Sequence, residues 1–408
     1  MATYNLRRFS NPETLKQVGQ RNLLALLEPH AAYFASRGPT LPKRAGDGDL
    51  DYERLVEVFM TPGSDTPRAL ANALFLIDEM ATPEAMDGLL DEARILGIQL
   101  GDGDRLTPAD VAVRVWLQKP DVLAQKHAEQ ILIKRRSFEY FQTDGEAVPE
   151  FFLPSQETVR ALEAELDEWF EAKKRGRGAR VFVYPKDDGC WFLVRHGDPY
   201  KREGSLQEEG KPSSVFYRPE KYDVLCYNPT IGEIRINARS EGEKDLYRKA
   251  FGRHVFGSED FFPGTAKYTL EPLRTDGPAS LVCTDVDGME WVHLVEVHYF
   301  WGGGQNEVEI RKADDIFAAL EAREAEMPGA KIIRARFKVK FADARTPRTL
   351  VIRPSNIADY QHDADSVPLE EWLTKRGFTR TGRQAEREDA EPVLAGAQLR
   401  ARAKRRRR

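Results

Sequence analysis

The sequence predicts a multidomain α+β protein: an all-α N-terminal region, a mainly antiparallel β-rich α+β domain, and a disordered basic tail. Three observations carry this. Proline-initiated helical segments recur through the first 150 residues, hydrophobic periodicity shifts towards two after Ala179, and the end of the chain has few large apolar side chains. The expected domains are 1–150, helical; 151–178, a connector helix and basic hinge; 179–378, α+β; and 379–408, the tail.

The helical region repeats one signal, at Asn11-Pro12-Glu13, Thr66-Pro67-Arg68, Thr82-Pro83-Glu84, Thr107-Pro108-Ala109 and Lys119-Pro120-Asp121. Proline in a first helical turn loses no hydrogen bond, and Asn or Thr before it can cap free amides. Leu70, Leu74, Ile77 and Met80 then recur at helical spacing, and turns are expected at Gly46 to Asp49 and Gly101 to Asp104. Five or six packed helices follow. After an aromatic connector from Phe138 to Pro154, Ser155 opens a helix with the apolar stripe Leu162, Leu166, Trp169 and Phe170. It runs into the basic segment Lys173, Lys174, Arg175, Gly176, Arg177 and Gly178, read as a hinge.

Beyond the hinge, strands are expected at 180–184, 190–195, 214–217, 222–227, 232–238, 279–284, 289–300, 331–341 and 348–352. Asp187-Asp188-Gly189 and Asp287-Gly288 are hairpin-turn signals. Helices are expected at 241–254, 314–327 and 368–375.

With 41% hydrophobic and 31% charged residues, the 408-residue chain reads as globular. No apolar run approaches the ~20 residues of a membrane span, and the N-terminus has no signal-peptide core, so a cytoplasmic protein without a membrane partner is expected. Cys190, Cys226 and Cys283 form no paired motif and read as buried thiols. The net charge of −5 conceals a tail with ten Lys/Arg against four acids, leaving the remainder near −11. That balance excludes a uniformly basic DNA-binding domain.

Four constellations bear on chemistry. In 333–341, Ile333, Ala335, Phe337, Val339 and Phe341 alternate with Arg334, Arg336, Lys338 and Lys340, so one strand face is basic at ~6.6–7 Å intervals. Arg348 on the next strand, with Lys173, Lys174, Arg175 and Arg177 of the hinge, completes the expected nucleic-acid-binding set. The competing reading is a solvated face balanced by neighbouring acids. Second, Asp223 followed by Glu233 and Arg235 has the order of PD-(D/E)xK nucleases, whose two carboxylates hold Mg²⁺. Arg235 stands for the lysine and cannot act as a base, and no proline precedes Asp223. Third, in His293-Leu294-Val295-Glu296-Val297-His298, strand parity places Glu296 and His298 on one face and His293 on the other. Fourth, Gly302-Gly303-Gly304 permits close backbone approach but lacks a phosphate-loop context.

The expected function is a non-enzymatic binding or accessory protein of bacterial cytosolic type. It would engage nucleic acid, or a complex that handles it, through the basic strand and tail, with the helical region facing a protein partner. The alternatives are a divergent metal-dependent nuclease on Asp223, Glu233 and Arg235, the one reading that requires Mg²⁺, and a structural subunit of a multiprotein system. No cofactor is otherwise expected.

Overall fold

The computed structural model describes residues 6–45, 48–100, 106–143, 148–186, 189–206 and 210–380. The basic tail from residue 381, the expected turn at 101–104, Gly46, Asp47, Asp187 and Asp188 lie outside the described residues. Contacts divide the chain into two units, Met1–Ile131 and Leu132–Arg408.

The first unit is helical: α1 (Pro12–Leu15), α2 (Gln20–Leu27), α3 (Ala31–Arg37), α4 (Tyr52–Met60), α5 (Arg68–Met80), α6 (Pro83–Leu96), α7 (Pro108–Gln118) and α8 (Pro120–Ile133), which crosses into the second unit. Asn11, Thr82 and Thr107 cap their helices, accepting from the backbone N–H of Glu13, Ala85 and Asp110. Thr66 does otherwise: its hydroxyl accepts from the Gly63 amide and bonds the Tyr33 hydroxyl, and Pro67 takes the N-cap of α5. Leu23, Leu27, Phe34, Leu55, Ile77, Val111 and Leu123 fill one core. No helix among the described residues is long and apolar enough to cross a membrane.

The second unit contains β1 (Ser137–Gln142), α9 (Gln156–Ala172), β2 (Arg180–Lys186), β3 (Gly189–Gly197), β4 (Lys201–Leu206), β5 (Pro212–Tyr217), β6 (Glu220–Asn228), β7 (Glu233–Asn237) and α10 (Glu241–Phe256). It continues through α11 (Pro272–Thr275), β8 (Met289–Gly302), β9 (Glu307–Lys312), α12 (Ile316–Glu321), β10 (Lys331–Phe341), β11 (Arg348–Arg353), β12 (Ile357–Asp359) and α13 (His362–Lys375). Ten strands form one sheet in the order β2-β3-β6-β7-β1-β12-β11-β10-β8-β9, and its neighbouring strands pair antiparallel. β4 and β5 pair separately.

Several elements differ from the sequence reading. β1 lies within the expected helical domain and aromatic connector, yet it pairs with β7 and β12 at the middle of the sheet. Residues expected as a strand at 279–284 instead begin within a 3₁₀ turn, Gly277–Leu281, with Pro278 at its second position, so Asp287-Gly288 leads into β8 without closing a hairpin. α12 is shorter than expected and α13 begins earlier.

The helices change sides across the sheet. On β3, β6 and β7, Phe192, Leu225, Tyr227, Ile234 and Ile236 pack with Phe170 of α9 and Phe251 of α10. Following directly opposed residues, Ile236 to Glu139, Ile357 and Arg353, carries that same face across to β11. There the opposite face is the packed one: Phe337 lies 5.8 Å from both Trp372 of α13 and Phe378. The face shared with α9 and α10 is therefore open over β11, β10, β8 and β9, where its residues are exposed or half-buried apart from Glu296 and Val351.

Candidate nucleic-acid interface

From Arg334 onwards β10 keeps the alternation read from sequence: Ala335, Phe337, Val339 and Phe341 are buried, while Arg334, Arg336, Lys338 and Lys340 stand on the open face. Ile333, expected on the apolar face, is instead an extra, half-buried residue in a bulge, and Ile332 takes the buried place. β8 supplies the neighbouring row, and here parity breaks. Arg336 lies opposite Glu296 but Phe337 lies opposite Leu294, so Val295 is an extra residue in a β-bulge. The bulge turns His293 and Trp291 onto the face of Glu296, His298 and Phe300, correcting the expectation that His293 faces away. Lys338 opposes His293 and Lys340 opposes Trp291. On the other side, β9 contributes Lys312, Ile310 and Val308 to the same face. The adjacent apolar pair Leu294-Val295, a lapse in strict alternation, is the sequence signal for this bulge.

Glu296 is the electrostatic centre, only 3% exposed. Its carboxylate lies 2.7 Å from His298 Nε2, 3.1 Å from Lys312 Nζ, 3.5 Å from Arg336 and 4.0 Å from Arg334. Burial pushes its carboxyl up, but the hydrogen bonds from His298 and Lys312 and the charges of Arg336 and Lys312 outweigh it, holding the group down at about 2. Lys340 pairs with Glu290 at 3.1 Å. Lys338 is exposed and forms no ion pair among the described residues. Around Glu296 and Glu290 thus stand Lys312, Arg334, Arg336, Lys338 and Lys340. At 3.5 and 4.0 Å the two guanidinium groups meet Glu296 as charges rather than as bonded forks, and their Nε donors are buried without a hydrogen-bond partner among the described residues.

The other expected basic residues separate from this row. Arg348 opposes Val339 and so shares the packed face, where it binds the buried Asp365 and lies over the Phe341 ring. Arg175 is tied to the buried Glu243 and lies over Trp169 and Phe170. The expected hinge is a bonded turn: Arg175 N–H donates to Phe170, and the amides of Gly178 and Ala179 donate to Asp167. Lys173, Lys174 and Arg177 are exposed there, on a different element from the β10 row.

The nuclease-like residues do not converge. Asp223 opposes Val194, on the face beneath α10, whereas Glu233 opposes Asn228 and Arg235 opposes Cys226, on the other face. Five residues along β6 also separate Asp223 from the partner of Glu233, roughly 17 Å of strand. Glu233 is instead neutralised by Lys267 Nζ at 2.7 Å and accepts from Gln142 at 2.8 Å. Arg235 lies 4.9 Å over Trp191 and 3.7 Å from Glu370. Beside it, burial first and the Arg235 charge second hold the His362 ring well below the usual histidine range.

Asp223 joins a cluster the sequence did not suggest, because its members come from β3, β6, α10 and the turn after α9. His196, Asp223 and Glu243 offer ligand atoms within 4.8 Å of one another. Each is already engaged. Asp223 accepts from Tyr247 at 2.7 Å and lies 3.0 Å from His196 Nε2, while His196 Nδ1 faces the Gly197 carbonyl at 2.9 Å. Glu243 closes a capping box with Ser240 and binds Arg175. Phe170 stacks on the His196 ring at 4.3 Å. A divalent ion would have to compete with Arg175 for Glu243 and with Tyr247 and His196 for Asp223. The arrangement suits a bonded knot holding α9 and α10 to the sheet. No protein-family model and no curated protein matches this chain.

Proposed function

We propose that the protein is a non-enzymatic nucleic-acid-binding accessory protein that holds the phosphate backbone on the open face of β8–β11. One observation carries this reading: Arg334, Arg336, Lys338 and Lys340 form a cation row on an uncovered sheet face, where Lys338 is exposed and has no ion pair among the described residues. Such groups release condensed counterions when they meet phosphates, giving affinity without sequence choice. The acidic remainder of the chain keeps this attraction local. Exposed Phe75 of α5 and Ile95 of α6 support a protein partner for the helical unit.

The test is binding of labelled oligonucleotides by anisotropy across a salt series, with Arg334, Arg336, Lys338 and Lys340 changed to Glu. Wild-type binding is expected to weaken with salt by about 0.7 to 0.9 log units per decade for each contacted phosphate. The four-fold variant is expected to lose binding and Lys338→Glu alone to weaken it; circular dichroism checks the fold, because Arg334 and Arg336 pair with the buried Glu296 whereas Lys338 has no ion pair among the described residues. Equal affinity of both proteins at low salt would falsify the reading.

A further inference from the structure

On the nucleic-acid reading of this face, we infer that it accepts single-stranded chains in preference to duplex, with bases stacked on the β8 rings and phosphates held by the β10 cations. The Val295 bulge sets Trp291, His293, His298 and Phe300 in one row on the open face. Trp291 and His293 lie 4.4 Å apart at 33°, making a continuous aromatic patch. This row runs beside the cations in matched register: Trp291 with Lys340, His293 with Lys338, His298 with Arg334. Adjacent strands are ~4.8 Å apart, so rings flank Lys340, Lys338 and Arg334, while Glu296 stands beside Arg336. A nucleotide chain presents the same two features side by side, a planar base and a phosphate.

The rings decide between the two forms. The β10 cations repeat at ~6.6–7 Å where the strand is regular, a spacing that suits phosphates of either form. The Trp291 and His293 rings, 4.4 Å apart, can be covered only by bases free of a partner strand. In a duplex the base faces are already covered by their neighbours, so the β8 rings would meet sugar and phosphate alone. The exposed apolar side chains Val308 and Ile310 on β9 extend the same platform beyond the rings. Stacking of this kind tolerates any base, consistent with a site that has cations and rings but few neutral hydrogen-bonding groups.

The test compares labelled single strands, DNA and RNA, with the matching duplexes at one salt concentration. Single strands are expected to bind roughly tenfold or more tightly than duplex. The double variant Trp291→Ala/His293→Ala is expected to lose that margin while retaining duplex affinity, and Trp291→Phe is expected to restore most of it. Circular dichroism verifies that the variants fold. Equal wild-type affinity for both forms, or a folded double variant binding single strands as wild type does, overturns the inference and leaves polyanion binding standing. Failure of the wild type to bind either form at low salt overturns the nucleic-acid reading as well.

Discussion

Glu296 is enclosed by His298, Lys312, Arg334 and Arg336, so replacing it with glutamine has two consequences of opposite sign. Stability falls, because the cations lose the carboxylate that pairs them. With the folded group at about 2 against an ordinary 4.5, the stabilisation is complete above about pH 4.5 and is lost as pH falls towards 2. Denaturant titration is therefore expected to show Glu296→Gln destabilised on the order of 2 kcal/mol at pH 7, with the difference vanishing near pH 2. Affinity for polyanions is expected to rise, since the row loses its main counter-charge. A variant equally stable at pH 7 would show that the ion cluster contributes nothing. Asp223→Asn tests a different site. It weakens the acceptor of His196 and Tyr247, so a stability loss of about 1–3 kcal/mol is expected, with oligonucleotide binding unchanged. Metal-dependent cleavage that disappears in this variant would contradict the separation of Asp223 from Glu233.

At the scale of elements, the buried pair Glu233–Lys267 ties β7 to the segment before α11, and Lys267 also lies 4.1 Å over the Tyr140 ring. Removing one partner leaves an uncompensated buried charge. Lys267→Met is expected to destabilise by about 3–5 kcal/mol, and Lys267→Met with Glu233→Leu by clearly less. Thermal melts of the two variants check the order; a double variant less stable than the single would reverse the claim. The bulge in β8 belongs to this scale too. Deleting Val295 would leave Glu296 opposite Arg336, Leu294 opposite Phe337 and His293 opposite Lys338 in regular register, so a cooperative denaturant transition is expected to survive; its loss would show that the bulge itself is required. The β10 row was legible because alternation is local: each residue's face follows from its neighbours. The face of His293 was not, because a bulge is fixed by pairing with another strand.

For the molecule as a whole, each unit has its own core, Leu27, Phe34 and Ile77 in one and Phe192, Leu225 and Phe251 in the other. Residues 1–131 expressed alone are expected to give a helical spectrum and a cooperative melt; a non-cooperative melt would show that the core is insufficient. The sequence by itself determined the helical first part, through caps such as Thr82 and Thr107 and their prolines, and the α+β second part, through period-two runs such as that in β10. It also determined that Arg334, Arg336, Lys338 and Lys340 share one face. Only the tertiary structure decided the rest. β1 joins the sheet through partners about a hundred and two hundred residues away, Asp223 meets His196 and Glu243 rather than Glu233, and Arg348 turns inward to Asp365. Periodicity and capping act between residues a few positions apart, so they are written in the chain. Sheet order, the side a helix covers, and the partner of a buried charge depend on contacts between distant segments, which no local pattern encodes.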